Sequence, residues 1–257
     1  MRRFLKFALF SFMTVIFFII AASMQIACFI LRIDPQRTLT QLTTLWARTM
    51  LWILNVNVTA RWQSDVHQQS PHMIVANHQS YVDVIIIASI MPTLFVAKDD
   101  VRSWPVFGWL ASLGGTLFID RKAFRGALHS MEQIAKALRC GINVQVFPEG
   151  TSTNGSAVLP FRSALFNAAI SSCSAILPLS VNYESINSSQ VNNVNRDFLC
   201  WYGEMTFTNH FWRLLSLQSA HVSVVIHPSI RFGEADSAKT ISQAAFSSVV
   251  NGFRRIE

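Results

Sequence analysis

Met73-Ile74-Val75-Ala76-Asn77-His78-Gln79-Ser80-Tyr81-Val82-Asp83 is the stretch from which the chain is best read. The apolar run 73–76 predicts a strand that continues to Asn77. Residues 80–90 predict a helix, stopped at Met91-Pro92 because the residue before a proline is pushed out of helical geometry. A strand that runs into a helix through a short polar turn is the unit of an α/β fold. The turn carries a histidine, and the helix opens with a carboxylate five positions on.

That spacing lets Asp83 reach one ring nitrogen of His78, fix the tautomer and leave the other nitrogen as a general base. No Ser or Cys nucleophile is needed if the substrate brings its own hydroxyl, so the pair points to group transfer onto an alcohol. The structural alternative is a histidine capping a strand end and an aspartate near the positive end of a helix dipole. One His-x4-Asp match is a weak signal, and the case rests on what accompanies it.

Three further blocks repeat the design. Gly114-Gly115-Thr116-Leu117-Phe118-Ile119-Asp120-Arg121 is a glycine turn, a short apolar strand and a charged end. Val144-Gln145-Val146-Phe147-Pro148-Glu149-Gly150-Thr151-Ser152 is a strand and a Pro/Gly turn holding a carboxylate. Ile176-Leu177-Pro178-Leu179-Ser180-Val181-Asn182-Tyr183 is another strand. In open α/β sheets ligands gather beyond the carboxyl ends of strands, where His78, Arg121 and Glu149 all fall.

The remaining pattern agrees with α/β. Strands are expected at 55–62, 93–97, 117–120, 144–147, 176–182, 199–206 and 222–227, with helices at 104–112, 125–140, 160–171 and 211–217. Gly141 suits a helix C-cap, and Ser237 suits the N-cap of a last helix carrying Ile241, Ala245 and Val249. Residues 184–196 are polar and Asn-rich and read as an exposed loop. The expected architecture is a mixed, largely parallel sheet flanked by helices, with an N-terminal membrane-anchoring helical segment. The expected division is 1–54, membrane-associated helices, and 55–257, the catalytic domain.

At 257 residues the chain is 51% hydrophobic and only 14% charged, with a mean hydropathy of +0.34. Phe7–Ile30 is an uncharged run of 24 residues, long enough to cross a bilayer as one helix. A signal peptide is the competing reading, but the run is long for one and no small-x-small site closes it. Arg2, Arg3 and Lys6 direct the N-terminus to the cytoplasmic side of the inner membrane. Residues 40–54 form a second helix candidate, with Leu42, Leu45, Trp46, Thr49, Met50 and Ile53 on one face. Arg48 and Trp52 lie off that stripe. The net charge of +7 fits an anionic lipid surface; no nucleic-acid signature is present, so no nucleic-acid partner is expected. Cys28, Cys140, Cys173 and Cys200 lack metal-ligand spacing and read as buried small hydrophobes, so no metal site is expected. His129, His210 and His227 read as structural.

The four blocks, in this order and at these spacings, resemble the glycerolipid acyltransferase family, 1-acylglycerol-3-phosphate acyltransferase type. Asn77, His78 and Asp83 are similar to its first motif, Gly115 to Arg121 to the second, Phe147 to Thr151 to the third, and the segment around Pro178 to the fourth. Lys98 is similar to a basic position the family keeps between its first two motifs. The resemblance covers roughly residues 65–230. It implies an acyl thioester donor, acyl-CoA or acyl carrier protein, a lysolipid acceptor, contact with membrane phospholipids, and no cofactor.

It also implies roles. His78 and Asp83 would be catalytic. Lys98, Arg121, Glu149, Gly150 and Thr151 would bind substrate, with Arg121 as a bidentate phosphate donor and Glu149 orienting Arg121 or meeting an acceptor hydroxyl. The structural alternatives are a strand-end salt bridge for Arg121 and a helix-capping carboxylate for Glu149. The acceptor that follows most directly is 1-acyl-sn-glycerol-3-phosphate, giving phosphatidate. Ser163 stands where phosphatidate-making members often have glycine. With Trp201-Tyr202-Gly203-Glu204-Met205 it is similar to the lyso-ornithine lipid acyltransferase branch, so that acceptor stands as the alternative. A catalytically inactive lipid-binding or scaffolding relative is the alternative of another class, and a His-dependent hydrolase a further one.

Overall fold

The computed structural model covers residues 1–257 and describes all of them except 65–70, 105–106, 120–123 and 234. Two helices open the chain, α1 (Arg2–Leu31) and α2 (Gln36–Leu54). Then come β1 (Val56–Trp62), β2 (His72–Ala76), α3 (Val82–Ile90), β3 (Leu94–Lys98), α4 (Phe107–Leu113), β4 (Leu117–Ile119), α5 (Phe124–Arg139) and β5 (Val144–Val146). The remainder is α6 (Asn167–Ser172), β6 (Ala175–Ile186), β7 (Ser189–Gln190), α7 (Phe207–Leu214), β8 (Ala220–Ile226) and α8 (Ala238–Gly252).

Among the described residues eight strands form one sheet, ordered β1-β8-β6-β2-β5-β3-β4, with β7 on β6. β6, β2, β5, β3 and β4 run parallel. β8 is antiparallel to β6, and β1 is parallel to β8. The mixed, mostly parallel α/β architecture is therefore as the pattern indicated.

The centre of the sheet is covered on both faces, which explains the unbroken apolar run at 73–76. Met73 and Val75 pack with α5, α6 and α8, while Ile74 and Ala76 face the layer of α1, α2, α3 and α7. Local chemistry sets the element ends. α3 stops at Met91, extended at φ −150° ahead of Pro92, and α5 stops at Gly141, whose φ of 81° is costless only for glycine. Ser237 caps α8 by accepting the Thr240 N–H at 3.1 Å.

Several elements differ from the pattern. Residues 160–171 are not one helix; a 3₁₀ turn, Ser163–Phe166, precedes the short α6. Tertiary bonds hold the preceding segment away from helical geometry, Arg162 N–H to the Pro148 carbonyl at 3.0 Å among them. Residues 184–196 are partly strand, because Asn187 and Ser188 adopt positive φ and turn β6 into β7. Residues 199–206 form no strand and instead dock on the His78 turn, with Trp201 N–H on the Gln79 carbonyl at 2.8 Å. On α2, Trp46, Met50 and Ile53 are buried, but Leu45 faces outward with Trp52. Cys140 and Cys173 are exposed rather than buried, since each lies just past the last turn of its helix.

α1 is long and apolar enough to cross a membrane, yet it is tied to the body near both ends. Lys6 Nζ donates to the carbonyls of Leu54 and Leu217 at 2.7 and 2.9 Å, and Gln25 Nε2 donates to the Leu113 carbonyl at 3.1 Å. These anchors lie roughly 28 Å apart along the helix. Along the helix Phe10, Thr14, Phe17 and Ala21 are buried, while Phe12, Val15, Ile19, Ile26 and Phe29 face outward.

Candidate active site

The site begins where β2 and β6 part. Their parallel pairing ends at Ala76 and Leu179, and the Asn77 side chain then bridges the strands. Its Nδ2 donates to the Val181 carbonyl at 3.0 Å, and its Oδ1 accepts the Val181 N–H at 2.8 Å. The amide side chain thus satisfies backbone groups that the parting strands would orphan, and the main chain can turn out of the sheet at His78.

His78 is held through backbone and ring. Its N–H donates to Glu149 Oε1 at 2.7 Å, and its carbonyl accepts Thr153 N–H at 2.9 Å. The Phe147 ring stacks on the imidazole with centroids 3.9 Å apart. Nδ1 lies 3.0 Å from Asp83 Oδ2. A carboxylate only accepts, so Nδ1 carries the proton and Nε2 the lone pair. Among the described residues nothing bonds Nε2, and the ring keeps 18% exposure, enough for a reactant to reach that nitrogen.

Asp83 is fully buried in the first turn of α3. Its Oδ2 also accepts the N–H groups of Gln79 and Ser80 at 2.7 and 2.9 Å, and its Oδ1 accepts the Tyr183 hydroxyl at 2.5 Å. The helix start and the two amides favour a negative charge there.

Glu149 lies in the turn after β5. Its two oxygens accept the N–H groups of His78 and Leu159, at 2.7 and 2.8 Å. It is 3% exposed, and burial pushes its carboxyl up to about 7. The two amide bonds pull the other way and the charge of Asp83 adds to the rise, so burial wins. Glu149 is therefore a strut between two loops, and both oxygens are occupied by backbone rather than turned toward a substrate. Gly150 has φ 76° and closes a turn onto the Phe147 carbonyl at 3.0 Å, a geometry that favours glycine.

The other residues singled out by sequence are more scattered. Thr151 is exposed beyond the Gly150 turn, and Lys98 is exposed at the carboxyl end of β3. Arg121 lies outside the described residues, two positions past the end of β4. Of the expected histidines, His210 bonds the Tyr81 hydroxyl at 2.8 Å, and burial lowers its pKa to about 4. His227 bonds Ser180 at 2.8 Å, and His129 bonds Gln133 at 3.0 Å. Sequence reasoning missed Asn77 as a bridge, Thr153 and Tyr183. Tyr183 shares the inner face of β6 with Val181 and Leu179, so its period-2 position was the available signal.

The arrangement is a base with one free ring nitrogen, backed by a buried carboxylate, at the carboxyl edge of a parallel sheet. Such a pair can take a proton from a hydroxyl and later return it to a leaving group.

Comparison with known proteins shows the family. The Acyltransferase family model matches residues 57–182. A lyso-ornithine lipid O-acyltransferase of Rhizobium meliloti (strain 1021) is 28% identical over 250 residues, covering 95% of this chain and 84% of that one. A lyso-ornithine lipid O-acyltransferase of Rhodobacter capsulatus is 31% identical over 216 residues, 82% of this chain and 75% of that one. A 1-acyl-sn-glycerol-3-phosphate acyltransferase of Neisseria gonorrhoeae is 28% identical over 152 residues, 59% and 57% of the two chains. The crystal structure of the 1-acyl-sn-glycerophosphate acyltransferase PlsC from Thermotoga maritima has the same fold, with TM-score 0.69 at 18% identity over 98% of this chain and 94% of that one. The chain is thus an acyltransferase and belongs to the glycerolipid acyltransferase family.

Proposed function

We propose that this protein moves a fatty acyl chain from an acyl thioester, acyl-CoA or acyl carrier protein, to the free hydroxyl of a lysolipid, with His78 as general base. The observation that carries the reading is the 3.0 Å contact between His78 Nδ1 and Asp83 Oδ2 with Nε2 left uncovered. Nε2 takes the acceptor's hydroxyl proton as its oxygen attacks the thioester carbonyl. Asp83 steadies the imidazolium, as the carboxylate of a serine-protease triad does. The tetrahedral intermediate collapses by breaking the C–S bond, and the thiolate takes the proton from Nε2. The acceptor hydroxyl stands in for a serine, so no acyl-enzyme forms. Glu149 and Gly150 shape the turn beside His78, while Lys98, Arg121 and Thr151 meet the acceptor's polar head.

The acceptor we favour is a lyso-ornithine lipid. The relatives named for that activity match along most of this chain, including the segment at 199–206 that docks on the His78 turn. The second reading, 1-acyl-sn-glycerol-3-phosphate, is supported by the second motif, whose Arg121 is suited to a phosphate. Residues 1–54 are the membrane-associated part and 55–257 the catalytic part. The ties at Lys6 and Gln25 favour α1 lying along the cytoplasmic leaflet of the inner membrane with its apolar face in lipid.

The test uses purified protein in detergent, a labelled acyl group on coenzyme A or on acyl carrier protein, and both lysolipids. Transfer to lyso-ornithine lipid in preference to lysophosphatidate, absent in His78→Ala, is the expected result. The reverse preference selects the second acceptor. No transfer to either lysolipid by folded protein overturns the reading in favour of a lipid-binding scaffold.

A further inference from the structure

Asp83 presents its two oxygens to different partners. Oδ2 is shared by His78 Nδ1 and by the amides of Gln79 and Ser80. Oδ1 faces away from the turn, toward β6, and accepts the Tyr183 hydroxyl at 2.5 Å. The register of β6 against β8 shifts between Tyr183 and Ser185, a bulge of the kind that re-aims side chains beside functional sites. Tyr183 is 6% exposed, and Asp83 is fully buried. The bond between them therefore lies away from solvent.

We propose that Tyr183 is a positioning residue that acts on the dyad through Asp83, setting how much of the carboxylate's negative charge reaches His78. A donor on Oδ1 draws charge away from Oδ2, the oxygen that faces Nδ1. Without it the carboxylate stays in place, because the Gln79 and Ser80 amides still hold Oδ2. More of its charge then falls on the imidazolium, and His78 keeps its proton to higher pH. Burial, with the charge of Asp83 beside it, holds the phenol's own pKa well above the ordinary tyrosine value. The residue therefore remains a donor throughout the working range.

Other ionisable groups stand around the pair. Glu149 contacts the backbone of His78, Cys200 lies close enough to Asp83 for their charges to interact, and the Tyr81–His210 pair borders the turn. Glu149 titrates near 7, so the readout must be a difference between variants that share all of these groups.

The activity arm of the test rests on the acyltransferase reading, and the spectroscopic arm does not. Two variants move the hydrogen bond in opposite directions. Tyr183→Phe removes the donor, and 3-fluorotyrosine placed at 183 keeps the hydroxyl and makes it a stronger donor. The titration of His78 is followed by NMR of ¹⁵N-labelled histidine, with its signal assigned from His78→Ala. For Tyr183→Phe the His78 midpoint and the acid limb of kcat/KM should rise by roughly half to one pH unit. At pH 7, kcat should fall about tenfold with both substrate KM values unchanged. The fluorinated protein should move both midpoints downward, and it carries the test if the Phe variant fails to fold. Folded variants whose His78 midpoints equal the parent's overturn the proposal. A parent with no transfer activity but shifted midpoints in the variants would overturn the acyltransferase reading and leave the coupling intact.

Discussion

At the scale of single residues, the candidate site is a histidine bonded through its N–H, its carbonyl and Nδ1, with Nε2 unbonded among the described residues. His78→Ala should lower transfer by roughly 10²–10⁴ without unfolding the protein. Asp83→Asn should be nearly as severe, because an amide cannot accept from Nδ1–H and the Gln79 and Ser80 amides together in the way the carboxylate does. Near-native turnover in either folded variant, measured with the preferred acceptor, would refute the base assignment. Glu149 adds a pH dependence of known sign. Its folded pKa of about 7 exceeds the ordinary 4.5, so between these values the native state holds a proton that the unfolded chain has lost. Stability should therefore fall as pH rises from about 4.5 to about 7 and level off above, a contribution of about 3 kcal/mol. Denaturant melts of Glu149→Gln should lack this slope. The same variant should be weaker at neutral pH, since one of the two amides it faces would meet an NH₂ group.

At the scale of elements, the loop after β5 is braced by the end of the chain. Gly155 has φ 79°, and its carbonyl accepts the Ile256 N–H at 2.9 Å. A Cβ there would sit 2.4 Å from Ile256 Cδ1 and 2.6 Å from Gln79 Oε1. Gly155→Ala should cost about 1–3 kcal/mol in thermal or denaturant melts, from the left-handed backbone and the crowding together. Because Gln79 follows His78 directly, kcat should drop more than either KM. An unchanged melting curve would mean that the loop and tail part easily and brace nothing. Helix and strand limits were mostly legible from local signals such as Met91-Pro92, Gly141 and Ser237. Residues 160–171 and 199–206 were not, because tertiary hydrogen bonds from Pro148 and Gln79 override their local preference.

At the scale of the whole molecule, α1 is packed into the fold along its inner face. Its inner face covers Trp46 and Met50 of α2, with Phe10 and Phe17 each stacked edge-on or tilted against Trp46. Removing residues 1–31 should thus destabilise the body instead of releasing an intact domain. Changing only the outer face is the sharper experiment. Phe12, Ile19, Ile26 and Phe29, all replaced by Gln, should weaken binding to anionic vesicles more than tenfold while leaving the melting temperature within a few degrees. Binding unchanged in low and high salt would show that the membrane contact lies on another surface.

What the sequence determined by itself is what neighbours in the chain can decide. The alternation of strand and helix follows from apolar periodicity and from proline, glycine and serine at element ends. The His78–Asp83 contact follows from a spacing of five residues across one turn. The tertiary structure decided what depends on distant segments meeting. Glu149 reaches His78 across 71 residues and Tyr183 reaches Asp83 across 100, contacts set by strand order and by the bulge in β6. The reversed direction of β1 and β8 and the seating of α1 along the body are of the same kind. Local patterns state which face of an element is apolar; only packing determines what that face is laid against.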